Sequence, residues 1–425
     1  MEQFDAYYTI LNEELVTATG CTEPIALSIV SAMARKVLEK DPTKIIAYCS
    51  ANVVKNVKSV TIPNTNNNRG IMTAVNAGWI AGDADKELEV ISIVSDEQKQ
   101  RIEEISKTNL VEVVCLKDEP NLSIRIQMFS DEDEVNVTLY HTHTNITKIE
   151  KNKEILYEKS CDLDNFNASL TDRSVLNLKG IQKFATNCKL ERISDLLEKQ
   201  IEINMAIANE GIKNGYGACV GKTILENIPG NYSSCIAMTA AASDARMSGC
   251  QLPVMTNSGS GNQGITTSVP VIVYAQEHNI DHEKLLRALV LANLCTIHFK
   301  TGIGRLSAYC GVVCAAVASF AGIAYINDES LCVIEDLITN GLATASGMIC
   351  DGAKESCASK ISTALFSAML GYEMARSKRV FKDECGIVQD CVEHTIKVVG
   401  TLGHEGMRQT DNMILDIMTK NKIAD

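Results

Sequence analysis

The sequence predicts an α+β protein in which a smaller N-terminal α+β domain precedes a larger, mostly helical domain. Short runs rich in β-branched residues recur between Ile45 and Glu158, and nearly all of the chain after Thr171 has the apolar spacing of helices. Its 425 residues suffice for two or three domains, and 45% hydrophobic and 22% charged residues are typical of globular proteins. We therefore divide the chain into residues 1–40, 41–170 and 171–425.

Residues 1–40 contain two predicted helices, separated at TATGCTEPIA. Gly20 ends the first helix, and Thr22 with Pro24 can begin the second. Apolar spacing through IALSIVSAMARKVLE continues the second helix to about Glu39. We expect both helices to pack on the helical domain.

Residues 41–170 alternate between strand-like and helical runs, as expected of an α+β domain. The predicted strands are IIAYCSA, LVEVVCLK, LSIRIQMF and EVNVTLYH, and the predicted helices are RGIMTAVNAGWIAG and EQKQRIEEISK. The polar segment EKSCDLDNFNASLTDRS is a predicted linker. The helical stretches beyond it are FATNCKLERISDLLEKQIEINMAIANEG, GKTILENI, HEKLLRALVLANLC, LSAYCGVVCAAVASFAGIAYIN and ISTALFSAMLGYEMARS.

Charge and composition narrow the classes of partner. A net charge of −13 argues against nucleic acid, because phosphate contacts need a basic face, so we expect a small-molecule ligand. The acidic start MEQFDAYYTILNEEL does not resemble a secretory signal, and we expect a cytoplasmic protein whose 16 cysteines are mostly reduced. The uncharged segment from Leu306 to Asn327 could span a bilayer, but its Gly, Ala, Ser and Cys favour a central helix and no membrane association.

Two glycine-rich motifs imitate nucleotide-binding loops. The residues from Gly259 to Gly264 match G-x-G-x-x-G, but LPVMTNS precedes them and Pro270 stands where an unbroken helix is required. GACVGKT has Tyr216 in place of the first glycine of a P-loop. We still expect the turn from Gly259 to Gly264 to hold a carboxylate or another anion, because it lies at the start of a predicted helix.

Several side chains are candidates for chemistry, each with a purely structural alternative. Cys21 lies at a predicted helix N-terminus, where the dipole lowers a thiol pKa, although a buried cysteine beside a helix cap gives the same pattern. Glu23 competes with it for the role of base. His141 and His143 alternate in YHTHTN, so both would face one side of a strand, as metal ligands or as an exposed pair.

Cysteines are frequent in the C-terminal half, and their charged neighbours distinguish them better than their spacing. Lys300 and Arg305 lie close to Cys310 in sequence, and GMICDGAKESCASK places two more cysteines among an aspartate and two lysines. Nearby cations lower thiol pKa values and can hold a substrate carboxylate. Spacing alone leaves open which thiols share a site.

Six phrases together closely resemble the L-cysteine desulfidase family, which is related to the catalytic chain of iron–sulfur L-serine dehydratases. They are TGCTEPIA, SANVVKN, SDARMSG, NSGSGNQGI, KTGIGRLSAYCG and GMICDGAKESCASK. The resemblance extends along almost the whole chain and makes residues 171–425 the catalytic domain. It implies elimination of sulfide from L-cysteine, giving pyruvate and ammonia.

The resemblance also implies a cofactor and a set of site residues. It implies a [4Fe–4S] cluster held by Cys310, Cys350 and Cys357, which leaves one iron open for Lewis-acid chemistry. Cys21 matches the family's proton acceptor. The expected substrate-binding residues are Ser258, Ser260, Asn262, Gln263, Arg305, Lys354, Asn52, Lys55 and Asn145. The scheme needs no pyridoxal phosphate.

Three alternatives stay open at the level of sequence. An iron–sulfur L-serine or L-threonine dehydratase would share the fold and eliminate water. A non-catalytic metal or redox sensor would bind iron or zinc without turnover, and a nicotinamide oxidoreductase would bind a dinucleotide. A homo-oligomer is compatible with the sequence, which does not define the oligomeric state.

Overall fold

The computed structural model describes residues 2–116, 119–163, 165, 167 and 170–420, and within them helices predominate. The helices are α1 (Glu2–Glu14), α2 (Thr22–Leu38), α3 (Ala51–Val57), α4 (Gly70–Ala81), α5 (Asp96–Ser106), α6 (Leu178–Asn187), α7 (Ser194–Lys213), α8 (Val220–Asn227), α9 (Ser233–Met247), α10 (Gly261–Glu277), α11 (His282–Thr301), α12 (Val312–Ile326), α13 (Leu331–Ala345), α14 (Cys357–Arg376), α15 (Val392–Thr401) and α16 (Arg408–Lys420). The strands are β1 (Thr17–Thr19), β2 (Lys44–Ser50), β3 (Val111–Leu116), β4 (Ser123–Ser130), β5 (Asp133–Tyr140), β6 (Ile146–Lys151), β7 (Glu154–Glu158) and β8 (Pro253–Met255). These elements confirm the α+β class and the helical C-terminal part.

A six-stranded mixed sheet forms the N-terminal part, in the order β3-β2-β4-β5-β6-β7. Strands β2 and β3 are parallel, and every other neighbouring pair is antiparallel. The four predicted strands correspond to β2 through β5. Strands β6 and β7 escaped prediction because ITKIEK and EILYE are mostly charged or exposed and lack a continuous apolar face.

The two N-terminal helices pack on different parts of the molecule. The buried residues of α1 belong to the core of the helical part, whereas α2 packs on α4 and on strands β4 and β5. Helix α2 is buried on nearly all sides, and one of its faces lies against the sheet. Its position differs from the expectation that both helices pack on the helical part. Between them, β1 pairs antiparallel with β8 and ties this corner to the start of α10.

Helix α12 is the central helix of the C-terminal part. It contacts α10, α11, α13 and α14, and every residue except Tyr325 is buried. At Gly322 an added Cβ would stand 3.0 Å from Val271 and 3.1 Å from Ala292, so the small side chain lets three helices approach closely. Across the described residues, no helix is both long and apolar enough to cross a membrane.

Two local predictions differ from the structure. The single helix expected through FATNCKLERISDLLEKQ is interrupted between Asn187 and Ser194, so that α6 and α7 are separate. Helix α10 continues through Pro270, where we expected a break, because burial from Gly261 to Ala275 offsets the lost backbone hydrogen bond. The predicted linker lies partly outside the described residues.

Close packing explains the last glycine of the G-x-G-x-x-G sequence. A Cβ at Gly264 would overlap the carbonyl oxygen of Met255, at the contact of α10 with β8. We expect Gly264→Ala to lower the free energy of unfolding by about 1–3 kcal/mol, measured by urea denaturation. Gly347→Ala is the matched control, since no atom lies within 4 Å of its added Cβ. Equal losses in the two variants would contradict this explanation.

Candidate functional site

Two loops of the helical part bring Cys310 and Cys350 together. Tyr309 and Ile349 form an isolated antiparallel bridge. Around it, the Cys310 amide donates to the Met348 carbonyl at 3.0 Å and the Cys350 amide donates to the Ala308 carbonyl at 2.6 Å. The two cysteine side chains are hydrogen-bonded to each other, and this contact holds the pKa of Cys350 well below its usual value.

Cys357 completes this group as the first residue of α14. The loop between Cys350 and Cys357 turns sharply at Gly352, whose φ of 93° favours glycine. An added Cβ at this position would stand 2.5 Å from the carbonyl oxygen of Lys55, so the loop lies directly against α3. The backbone therefore holds the second and third thiols on one wall of a common cavity.

The cavity has a volume of about 90 Å³ and lies where the N-terminal and helical parts meet. Its walls combine four cysteines with acidic, basic and amide side chains. The polar and thiol residues that line it are Cys21, Thr22, Glu23, Asn56, Arg246, Ser260, Asn262, Gln263, Lys300, Arg305, Ser307, Tyr309, Cys310, Cys350, Cys357 and Lys360. The space suits a small polar ligand.

Two buried cations at this cavity have no acidic partner. Lys300 and Arg246 are 3% and 5% exposed, and no ion pair with a carboxylate forms at either within the described part of the chain. Arg246 instead donates to the Asn262 side chain at 3.1 Å and to the Gly20 carbonyl at 2.9 Å, while its Nε has no partner. Burial lowers the pKa of Lys300, and buried charges are stable when paired, so an anionic ligand would stabilise the charged form of both side chains.

Cys21 and Glu23 face the cavity from the start of α2. Cys21 is the N-cap residue, and its side chain makes no capping hydrogen bond. The predicted lowering of its pKa is wrong for this structure: burial raises the pKa of the thiol to about 12, despite the charge of Arg246. Burial also raises the pKa of Glu23. Either group holds a proton more tightly here than in water.

The glycine-rich turn supplies three of its four predicted residues to the cavity. Ser260 caps α10, and Asn262 and Gln263 follow in its first turn. Gln263 Oε1 is buried without a hydrogen-bond partner, so it can accept a bond from a ligand. Ser258 has a φ of 51° and donates to the Asn257 side chain; it lines a separate small cavity beside Glu14 and Arg173.

Arg305 lines the cysteine cavity, but four other expected binding residues do not. Lys354 pairs with Asp351, and Lys360 takes its place at the cavity wall. Lys55 pairs with Asp411 of α16, and the neighbouring Asn52 donates to Asn121. Asn145 donates to the Tyr140 carbonyl at 3.0 Å and closes the turn after β5. In this geometry these four support the surroundings of the site and do not line it.

The two histidines of YHTHTN do not lie on a strand. β5 ends at Tyr140, and His141 has a φ of 66°, with its Nε2 bonded to the Asp162 carbonyl at 2.8 Å. His143 is 4% exposed and its Nε2 has no partner. The one group of His, Cys and Asp ligand atoms that converges for a single ion in the described residues contains neither histidine.

Burial of His143 predicts a pH-dependent stability. Burial, with Arg305 and Arg246 nearby, lowers the pKa of His143 to about 3. Between that value and about 6.5 only the unfolded chain gains this proton, so the free energy of unfolding falls as pH decreases, by about 1.36 kcal/mol per pH unit at most. His143→Gln should make acid denaturation shallower in this window. His282→Gln, at an exposed histidine, should keep the wild-type slope, and matching slopes in both variants would contradict the prediction.

The site also contains residues that sequence reasoning missed. Sequence patterns do not point to Asn56, whereas Arg246 is, with Asp244, one of two charged residues in a helix of mostly small side chains, which is an available signal. Thr22 donates to the Gly259 carbonyl at 2.9 Å and joins the start of α2 to the glycine-rich turn. Residues distant in sequence thus form one site.

The fold and cavity define a class: a helical enzyme core with an α+β part, and at their junction a small cavity of thiols and basic side chains that suits a small anionic molecule. The chain belongs to the serine dehydratase alpha chain family, a lyase-type family whose model matches residues 85–416.

Proteins of similar sequence extend over the full length of this chain. A UPF0597 protein of Desulfitobacterium hafniense is 48% identical over 98% of this chain and 98% of its own length. One from Fusobacterium nucleatum is 47% identical over 97% of this chain and 98% of its own. One from Finegoldia magna is 43% identical over 97% and 99%.

Proposed function

We propose that the chain is an iron–sulfur-dependent L-cysteine desulfidase that eliminates sulfide from L-cysteine without net redox change. The proposed reaction breaks the bonds from Cα to hydrogen and from Cβ to sulfur, and the sulfide leaves with the electron pair of its bond. The aminoacrylate product tautomerises and takes up water, giving pyruvate and ammonia.

The single observation that carries this proposal is that three thiols and two unpaired buried cations line the same small cavity. Cys310, Cys350 and Cys357 supply the thiols, and Arg246 and Lys300 supply the cations. A cluster bound by thiolates is negatively charged, as is the carboxylate of an amino acid. Both would compensate the cations.

The donor set fits the proposed cofactor. Three cysteines face one cavity, and thiolates are the ligands that iron–sulfur clusters require. In the part of the chain that the structure describes, these three do not converge as ligands of one metal ion, whereas a cluster needs ligands on separate irons. A [4Fe–4S] cluster bound by three cysteines would supply an iron with an open position, which acts as a Lewis acid toward the leaving sulfur.

The protein's own residues would bind the substrate and move its proton. Arg246 Nε and Gln263 Oε1 are both buried and have no hydrogen-bond partner among the described residues, so the first can donate to the substrate carboxylate and the second can accept from its ammonium group. Cys21, when deprotonated, would remove the proton from Cα, with Glu23 as the alternative base in the same wall. Many of the side chains that line the cavity are buried, and low local polarity strengthens such contacts.

The high pKa of Cys21 constrains this scheme. A thiol with a pKa of about 12 is protonated at neutral pH, so proton removal requires nearby positive charge to favour the thiolate, against the negative charge of a bound cluster and a substrate carboxylate. Arg246 already acts in that direction. We therefore expect the two unpaired cations to contribute to catalysis as well as to binding.

A second candidate is an iron–sulfur L-serine or L-threonine dehydratase, which the family's name favours. The choice of L-cysteine is supported by the six phrases identified in the sequence. Comparing kcat/KM for sulfide release from L-cysteine with kcat/KM for pyruvate formation from L-serine tests the choice. The proposal expects a higher value for cysteine; a strong preference for serine would replace it with the dehydratase, and no turnover with either would favour a sensor.

A further inference from the structure

Three potential metal ligands converge at the start of α15, away from the cysteine cavity. Asp390 Oδ1 lies 2.5 Å from His394 Nδ1, and the Cys391 side chain belongs to the same group. All three residues are exposed. The thiol, imidazole and carboxylate are therefore open to an ion from solvent.

The backbone that carries these three side chains is anchored to the rest of the fold. Val388 and Val392 flank Asp390 and Cys391, and both are anchored in the interior, at 1% and 7% exposed. The Gln389 amide donates to the Thr395 hydroxyl at 3.0 Å, so the loop is fastened to the first turn of the helix. This anchoring reduces the backbone entropy that the site would lose on binding a ligand.

The Cys391 thiol contacts Asp390 and does not cap α15. Cys391 is the N-cap residue of α15, with extended φ and ψ of −144° and 162°, yet its side chain makes no capping hydrogen bond. The Asp390 carboxylate is hydrogen-bonded to both other members, the His394 ring and the Cys391 thiol. The carboxylate, thiol and imidazole therefore lie beside one another.

We propose that Asp390, Cys391 and His394 bind one Zn²⁺ ion, with water completing the coordination. Zinc binds to combinations of cysteine, histidine and aspartate, whereas calcium and magnesium require oxygen ligands. The carboxylate and a metal-bound thiolate balance the two positive charges of the ion. In the described part of the chain no fourth His, Cys, Asp or Glu joins the group, which leaves a position for water.

The test is titration of the full chain, purified without oxygen, with Zn²⁺ in a calorimeter. We expect Cys391→Ser and His394→Ala each to weaken zinc binding at least about tenfold, because even changes to outer partners of metal ligands cost that much. Replacement of Zn²⁺ by Co²⁺ should give a thiolate-to-cobalt absorption band that Cys391→Ser abolishes.

Two matched variants separate this site from general zinc binding. Cys385→Ser removes another exposed thiol of the same loop, and His282→Ala removes an exposed histidine that likewise lies 2.5 Å from a carboxylate, that of Glu198. Both should keep wild-type affinity. Zinc bound at Cys310, Cys350 and Cys357 would be common to all variants and would cancel in the comparison.

Two outcomes would overturn the proposal. One is a wild-type chain whose zinc affinity matches that of the Cys391→Ser/His394→Ala double variant. The other is an equal loss in Cys385→Ser, which would mean nonspecific thiol binding. Because this site lies outside the cysteine cavity, its test is independent of the proposed desulfidase activity.

Discussion

Cys350→Ala is expected to lose iron, acid-labile sulfide and turnover together. Cys350 contacts Cys310 directly and faces the same cavity as Cys357, so its removal takes away one of three proposed cluster ligands. Two thiolates cannot hold the cluster with the same geometry or charge. Iron and sulfide content after anaerobic purification, with sulfide release from L-cysteine, measures both losses.

A buried cysteine outside the cavity gives the matched control. Cys314 is fully buried on α12, near Tyr309 and Lys300, but it does not line the cavity. Cys314→Ala should therefore keep wild-type iron content, apart from a modest loss of stability. If Cys350→Ala retained a full complement of iron, the proposed ligand set would be wrong.

Cys21→Ala is expected to keep the cofactor and to lose most of the catalytic activity. Cys21 lies across the cavity in the N-terminal part, while the three proposed ligands come from the helical part. The variant should keep its iron and lose a factor of about 10²–10⁴ in kcat, the usual contribution of a positioned general base. KM for L-cysteine should change much less, because Arg246 and Gln263 stay in place.

Glu23→Gln decides between the two candidate bases. Glu23 is buried two residues after Cys21, with its carboxyl beside the Thr22 hydroxyl at 3.3 Å. If Cys21 is the base, Glu23→Gln keeps most of kcat. A large loss in Glu23→Gln together with near-normal kcat in Cys21→Ala would transfer the role to the carboxylate.

The sequence predicted the fold class and the main elements because their signals are local. Alternating apolar residues defined β2 through β5, and helical periodicity defined α2, α4, α5 and α11. The course of α10 through Pro270 could not be read locally, since it depends on burial by its neighbours. The same holds for α2, whose packing against the sheet is set by tertiary contacts.

The site residues that could be predicted are those that lie in distinctive sequence motifs. Cys21, Cys310, Cys350, Cys357, Ser260, Asn262, Gln263 and Arg305 were named from sequence, and the structure brings them to one cavity. The sequence led us to expect Lys354 at the cavity, whereas Lys360 lines it. Which of the two ammonium groups reaches the cavity depends on where α14 begins. Prediction of boundaries to that accuracy requires cap geometry.

The raised pKa of Cys21 shows where local reasoning about charge fails. A helix N-terminus favours the thiolate, but the free-energy cost of burying the charge is larger. Only the folded structure shows that this thiol is 2% exposed. The same burial places Arg246 and Lys300 at the cavity without acidic partners, which sequence patterns do not show.

The most direct measurement of the central claim uses the full chain purified without oxygen, assayed with L-cysteine before and after removal of its iron. The account predicts about four iron atoms and about four acid-labile sulfide ions per chain. It also predicts equal amounts of released sulfide and pyruvate, with both products lost when the iron is removed. Unchanged sulfide release from the iron-free chain would contradict it.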